Sequence, residues 1–174
     1  MHPQGFTLLE LMIALAIFGI LLAIGIPSFQ ATLTSTRLTS ETNQLITSLQ
    51  AARMEAIKRN THVTLCTSQS QTTCDGTSWS SGWISYEDSN RNDSHDTGEP
   101  ILNIQQPGIA QITGNTNLAQ RIRFGADGLL FGVNNGILTV CLPTHAVQDN
   151  ARLIILSRIG RIRSERKNLG GTCP

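Results

Sequence analysis

A single carboxylate, Glu10, stands inside an apolar run that begins at Phe6, continues to Ile26 and stops at Pro27. The run is about 21 residues, or about 31 Å as an α-helix at 1.5 Å per residue, which is enough to span a bilayer. An acidic side chain at the centre of such a helix costs about 2.5–3.5 kcal/mol, and less near an end, so one that persists there usually has a function. A secretory signal peptide fits poorly, because its apolar core is shorter and it ends at an A-x-A-like site. An ordinary membrane anchor fits the length equally well. The five residues ahead of Phe6 hold no Lys or Arg, so charge asymmetry gives no orientation.

The helix should not end at Pro27, although Pro27 and Gly25 weaken or kink it locally. Leu38, Leu45, Leu49, Ala52 and Ala56 follow at spacings of seven, four, three and four, which is one face of a helix. Arg37, Glu41, Gln44, Ser48 and Arg53 lie off or beside that face. The pattern runs out at Lys58-Arg59-Asn60, with cations in the last turn and Asn as the cap. The expectation is one helix of about 50 residues that starts in a membrane and ends against a folded domain.

Beyond Asn60 the period changes to two. Strands are expected at residues 62–66, 82–87, 100–104, 109–112, 121–124, 129–131, 136–142, 153–157 and 161–164, with turn residues between them. The fold class is α+β: a long N-terminal helix packed on an antiparallel sheet or sandwich. Roughly 110 residues follow the helix, enough for one core. Four cysteines, Cys66, Cys74, Cys141 and Cys173, suit an oxidising compartment and have no zinc-site spacing. Of the three possible pairings, Cys66–Cys74 and Cys141–Cys173 close the most local loops.

The chain carries a net charge of only +1, yet six cations and one carboxylate fall between Arg152 and Lys167. Within that basic end lies Arg158-Ile159-Gly160-Arg161-Ile162-Arg163, followed by Arg166 and Lys167. On a strand, Arg161 and Arg163 share a face about 6.6 Å apart while Ile162 points to the core. Guanidiniums side by side can each grip a phosphate through two N–H groups. Arg121-Ile122-Arg123 repeats the alternation and is a candidate extension of the strip. The tail 166–171 is expected to be flexible and able to wrap a polyanion. Few aromatics lie nearby, so the expected contacts are to phosphate, weakly selective and steeply salt-dependent.

Residues 88–99 place Asp88, Asn90, Asn92, Asp96 and Glu99 at positions one, three, five, nine and twelve of a calcium-loop pattern. Asp93 stands where that pattern has glycine, and strands flank it, so an acidic hairpin turn is the simpler reading. No metal or other cofactor is expected. The histidines His2, His62, His95 and His145 fall in no hydrolase or metalloprotease motif, and no phosphate-binding glycine loop occurs. An enzyme is not expected.

Gly5-Phe6-Thr7-Leu8-Leu9-Glu10 closely resembles the N-terminus of type IV pilins and pseudopilins. The resemblance implies that a prepilin peptidase cuts between Gly5 and Phe6, that the new N-terminal Phe6 is methylated, and that Glu10 serves filament assembly. It implies a leader at 1–5, a membrane and filament-core helix at 6–27, an amphipathic continuation at 28–60 and a periplasmic β-rich domain at 61–174. Within that class the domain resembles the FimT/GspH group of minor pilins and pseudopilins. FimT members active in natural transformation carry a Gly-Arg-x-Arg signature near the C-terminus that binds DNA, and Gly160-Arg161-Ile162-Arg163 matches it. The implied partners are double-stranded DNA, other pilins, the prepilin peptidase and inner-membrane lipid before assembly. The implied site is Arg161 and Arg163 with Gly160, assisted by Arg158, Arg166 and Lys167, and more remotely by Arg121 and Arg123. Two rival roles share the first 60 residues: a GspH-like pseudopilin of type II secretion, and a minor pilin that primes pili for motility.

Overall fold

The computed structural model describes residues 7–174. Gly5 and Phe6, the expected cleavage and methylation positions, lie outside them. Helix α1 runs Leu8–Arg59, 52 residues. Thr7 caps it in an extended conformation, its hydroxyl accepting the Glu10 N–H at 3.3 Å. Thr7-x-x-Glu10 therefore has the spacing of a capping box. It also places the Glu10 carboxylate in the first turn, where the helix dipole favours negative charge.

The helix continues through Pro27 without interruption. Just beyond it, the hydroxyls of Thr32, Thr34, Thr36, Thr39 and Thr42 donate to carbonyls four residues back, at 2.6–3.1 Å. Five hydroxyls on one segment are thus satisfied within the helix itself. The two halves of α1 face different surroundings. Leu8, Met12, Phe18, Ile24 and Phe29 are exposed, an apolar band that calls for lipid or neighbouring subunits. Leu38, Leu45, Leu49, Ala52 and Ala56 are all buried to 1% or less, as their spacing predicts. Ser48, expected beside that face, is buried with Thr42, because a small side chain fits where the face closes on the sheets. Asn60 ends the helix in a left-handed conformation, φ 53°, its N–H turned back to carbonyls of the last turn.

Eight strands follow: β1 Val63–Thr67, β2 Trp83–Glu87, β3 Ile101–Gln105, β4 Gln111–Gly114, β5 Arg121–Phe124, β6 Asn135–Cys141, β7 Ala151–Ser157 and β8 Ile162–Lys167. They form two antiparallel four-stranded sheets, ordered β3-β2-β1-β5 and β4-β6-β7-β8. The inward alternation of both sheets meets α1 in one core, which includes Leu65, Trp79, Ile122, Phe124, Leu138, Val140, Ile154 and Leu156. Residues 129–131, expected as a strand, form only the single bridge Phe124–Leu130. Gly128 and Gly132 flank them at φ +72° and +80°, so the chain turns away at both ends before a ladder can grow.

Disulfides join Cys66 to Cys74 and Cys141 to Cys173. The second corrects the expectation of a flexible tail. Arg166 and Lys167 belong to β8, and the N–H of Leu169 is held by the Asn150 side chain at 2.9 Å. Cys173 is then bolted back to the end of β6.

Candidate functional site

The basic end of the chain folds as the hairpin β7–β8. Ser157 and Arg161 close it, the Ser157 N–H donating to the Arg161 carbonyl at 3.0 Å and the Gly160 N–H to the Ser157 carbonyl at 2.9 Å. The loop is Arg158-Ile159-Gly160. Gly160 takes the left-handed position, φ +72°, that a three-residue hairpin loop requires at its last residue.

From there the register pairs Ile162 with Leu156 and Arg163 with Ile155. Ile162 packs against the core. Arg161 and Arg163 take the opposite, outward face and line a shallow groove of about 270 Å³ with Ile155, Ser157 and Ile159. The lining thus sets two aliphatic side chains beside two guanidiniums. Among the described residues Arg161 makes no ion pair. Arg163 lies 3.3 Å from Glu165, both side chains about half exposed, an arrangement that water and salt weaken to at most about 1 kcal/mol. β8 is the edge strand of its sheet, so among the described residues its outer side pairs with no other strand.

The other expected site residues divide. Lys167 follows Arg163 on the same face of β8 by alternation. Arg166 lies across from Arg152, on the face of β8 that Ile162 takes and opposite to Arg161 and Arg163, so it does not join the strip as expected. Arg152, one of the six cations of the basic stretch, is only 8% exposed and donates to the carbonyls of Asp149 and Ala151. Burial, with the Arg166 charge opposing it further, pushes the Arg152 guanidinium pKa below its ordinary value. The surface charge of this end is therefore lower than the sequence count. Arg158 turns away from the groove and reaches the Asn134 side-chain oxygen at 3.3 Å, beside residues 127–134.

Arg121 and Arg123 do not extend the strip. They lie on β5, at the edge of the other sheet. Arg121 is exposed and pairs in register with Cys66. Arg123 is bound to Asp93 at 2.7 Å and lies over the Phe131 ring at 5.8 Å. Its charge is already neutralised within the fold.

Asp93 belongs to the acidic loop after β2, which is closed by its own hydrogen bonds. Asp88, 2% exposed, accepts from the Thr64 hydroxyl and the Asn92 N–H. Asp96 accepts from the Asn90 and Asn92 amides at 2.8 and 2.6 Å, and these bonds hold its carboxyl below the usual range. Glu99 accepts from the backbone N–H groups of Ser89 and Asp96. Among the described residues no three His, Cys, Asp or Glu side chains converge to hold a metal ion.

One residue at this site had no signal in the sequence. Arg53, expected beside the buried face of α1, donates from Nε to the Gly128 carbonyl at 2.9 Å and from Nη2 to the Ile159 carbonyl at 3.1 Å. Its partners lie 75 and 106 residues away, beyond the reach of any local pattern.

A family model described as type II transport protein GspH matches residues 41–160, and one described as a prokaryotic N-terminal methylation motif matches residues 1–26. The chain is 36% identical to the pilin-like protein PilA1 of Thermus thermophilus over 99 residues, 57% of each chain. It is 45% identical to the type IV major fimbrial protein FimA of Dichelobacter nodosus over 58 residues, 32% of this chain and 36% of that one. It thus spans about half the length of the first and about a third of the second. The crystal structure of the type IV minor pilin FimU from Pseudomonas aeruginosa shares the fold, with a TM-score of 0.56 at 19% identity over 73% of this chain and 91% of that one.

Proposed function

Because the chain belongs to the GspH family, we propose that it is a minor type IV pilin that binds extracellular double-stranded DNA for uptake in natural transformation. The family and the methylation motif identify a minor pilin or a GspH-like pseudopilin, anchored by its N-terminal apolar helix. The DNA reading is narrower. It is carried by one observation: the Gly160-Arg161-Ile162-Arg163 match falls on an edge hairpin whose two arginines open on the same groove.

In this reading the prepilin peptidase cuts between Gly5 and Phe6 and Phe6 is methylated. Glu10 then meets the N-terminal amine of a neighbouring subunit, which offsets part of the cost of a carboxylate in lipid. The filament carries the domain outside the cell. Arg161 and Arg163 each grip a backbone phosphate, with Lys167 on the same face adding attraction along β8, while Arg166 lies on the opposite face and drops out of the strip. Arg158 contributes only by leaving Asn134, and Arg121 and Arg123 drop out of the site.

A mobility shift with the full-length chain in detergent tests this. The wild-type chain should retard a duplex at low salt, with binding in the micromolar range that fades as salt rises. Arg161→Ala with Arg163→Ala should nearly abolish it; an unaffected double variant would overturn the reading. The family description favours a second reading, a pseudopilin of type II secretion. A strain carrying only the double variant separates the two. Lost DNA uptake with intact protein export supports the first, and the reverse supports the second.

A further inference from the structure

The groove-bearing hairpin shares the core with the helix that enters the filament, and its tip is tied to that helix by the hydrogen bonds of one further side chain. Arg53 comes from near the end of α1. Its guanidinium fork bonds one carbonyl in the turn before Leu130 and one at the tip of β7–β8. Those two segments are themselves joined, the Leu130 N–H donating to the Arg158 carbonyl at 2.8 Å. Gly160 sits where the three meet. A Cβ there would collide with the Gly128 carbonyl and come within 2.6 Å of Arg53 Nε. The glycine of the Gly-Arg-Ile-Arg motif thus meets two demands at once, a left-handed turn and room for the guanidinium against the backbone.

We propose that Arg53 is the positioning residue of the DNA interface: it locks the hairpin tip to α1 and so fixes the bearing of Arg161 and Arg163 relative to the filament core. This rests on the DNA reading above. Among the described residues Arg53 has no carboxylate partner, so its charge is satisfied by these two carbonyls, bonds that a charged donor strengthens. The task needs a fork. A lysine ammonium on one flexible stem reaches one of the two carbonyls well, but does not hold both in fixed directions.

The test uses the full-length chain in detergent, a fluorescent duplex and amide exchange. Arg53→Ala should weaken duplex binding about tenfold, and Arg53→Lys should recover part of the loss. Amide exchange should quicken at residues 158–163 and stay unchanged at Leu138, Val140, Ile154 and Leu156. Placed on the Arg161→Ala background, where duplex binding is still measurable, Arg53→Ala should cost clearly less than it does in the wild-type chain, because it acts through Arg161 and Arg163.

Affinity within twofold of wild type in Arg53→Ala overturns the proposal. So does an undiminished further loss on the Arg161→Ala background, which would make Arg53 a DNA contact in its own right. Quickened exchange throughout the core would reduce Arg53 to a general stabiliser. If the wild-type chain bound no duplex, the DNA reading would fall and the positioning role with it; exchange confined to 158–163 in Arg53→Ala would then still support the brace between helix and hairpin.

Discussion

Arg-Ile-Arg occurs twice in this chain, at 121–123 on β5 and at 161–163 where the hairpin enters β8, and the two copies meet different fates. Both lie on edge strands and both turn the isoleucine inward. On β5, the acidic loop after β2 reaches Arg123 through Asp93 at 2.7 Å, and Phe131 lies beneath the guanidinium. On β8, only the neighbouring Glu165 approaches, at 3.3 Å and about half exposed, and Arg161 has no carboxylate among the described residues. Identical alternation thus yields one copy whose second arginine, Arg123, is tied into the fold and one whose two arginines face solvent. What separates them is a carboxylate some thirty residues distant in sequence, not the motif.

The largest effect expected from separating the two regions is on their disulfides. Cys141–Cys173 closes a sequence separation of 32 and secures the end of β8, whereas Cys66–Cys74 closes only 8, opposite Arg121. In the chain-entropy model, losing the first by paired Cys→Ser changes should cost roughly 3–4 kcal/mol and losing the second roughly 2–3 kcal/mol. Urea unfolding of the two variants checks the order. Equal losses would mean that the β8 end is no more dependent on its bridge than the β5 end.

Next come the two glycines beside the arginines. Gly160→Ala should destabilise by about 2–3 kcal/mol, because a left-handed alanine would also meet the fixed Gly128 carbonyl. Gly132→Ala should cost only about 1 kcal/mol, since the nearest atom, 2.6 Å from the added Cβ, is the movable Nη2 of Arg123. Duplex affinity should fall with the first change and hold with the second.

Arg123→Ala should cost about 1 kcal/mol, the value of a partly exposed ion pair, with duplex affinity unchanged within twofold. A clear loss of binding would return the β5 copy to the interface.

The smallest effect is a pH dependence confined to the β5 side. His62 packs edge-on against Phe131, with ring centroids 4.7 Å apart. Burial, with the Arg91 charge adding to it, holds the His62 pKa below its ordinary value of 6.5. The fold therefore favours neutral imidazole. That contribution is full above about pH 6.5 and is lost as pH falls through the lower, folded value. His62→Gln should remove the part of the stability loss that sets in as pH falls below about 6.5 and leave duplex binding at fixed pH unchanged.

Much of the fold was legible because it is periodic. The helix, its buried stripe from Leu38 to Ala56, all eight strands (β4 two residues later than expected) and the hairpin turn at Gly160 follow from spacing and turn residues. The 129–131 segment was misread because its apolar run resembles a strand, while its flanking glycines impose turns. The extent of β8 was missed because Glu165, Arg166 and Lys167 look like a solvated tail; charges on an edge strand discourage unwanted pairing rather than pairing with β7. The site was half legible. Alternation put Arg161 and Arg163 on one face, but whether a cation is free depends on contacts distant in sequence. Arg152 is buried, Arg123 is paired and Arg53 is a brace for that reason. The Thr7-x-x-Glu10 cap was present in the sequence, overshadowed by the membrane-length run around it.

The most direct test is the salt dependence of duplex binding, measured for the wild-type chain, for Arg161→Ala with Arg163→Ala, and for Arg121→Ala with Arg123→Ala. Two lost phosphate contacts should make the slope of log affinity against log salt shallower by about 2 in the β8 variant, with little change in the β5 variant. Equal slopes in all three proteins, or the larger change in the β5 variant, would contradict the assignment of the interface to Arg161 and Arg163.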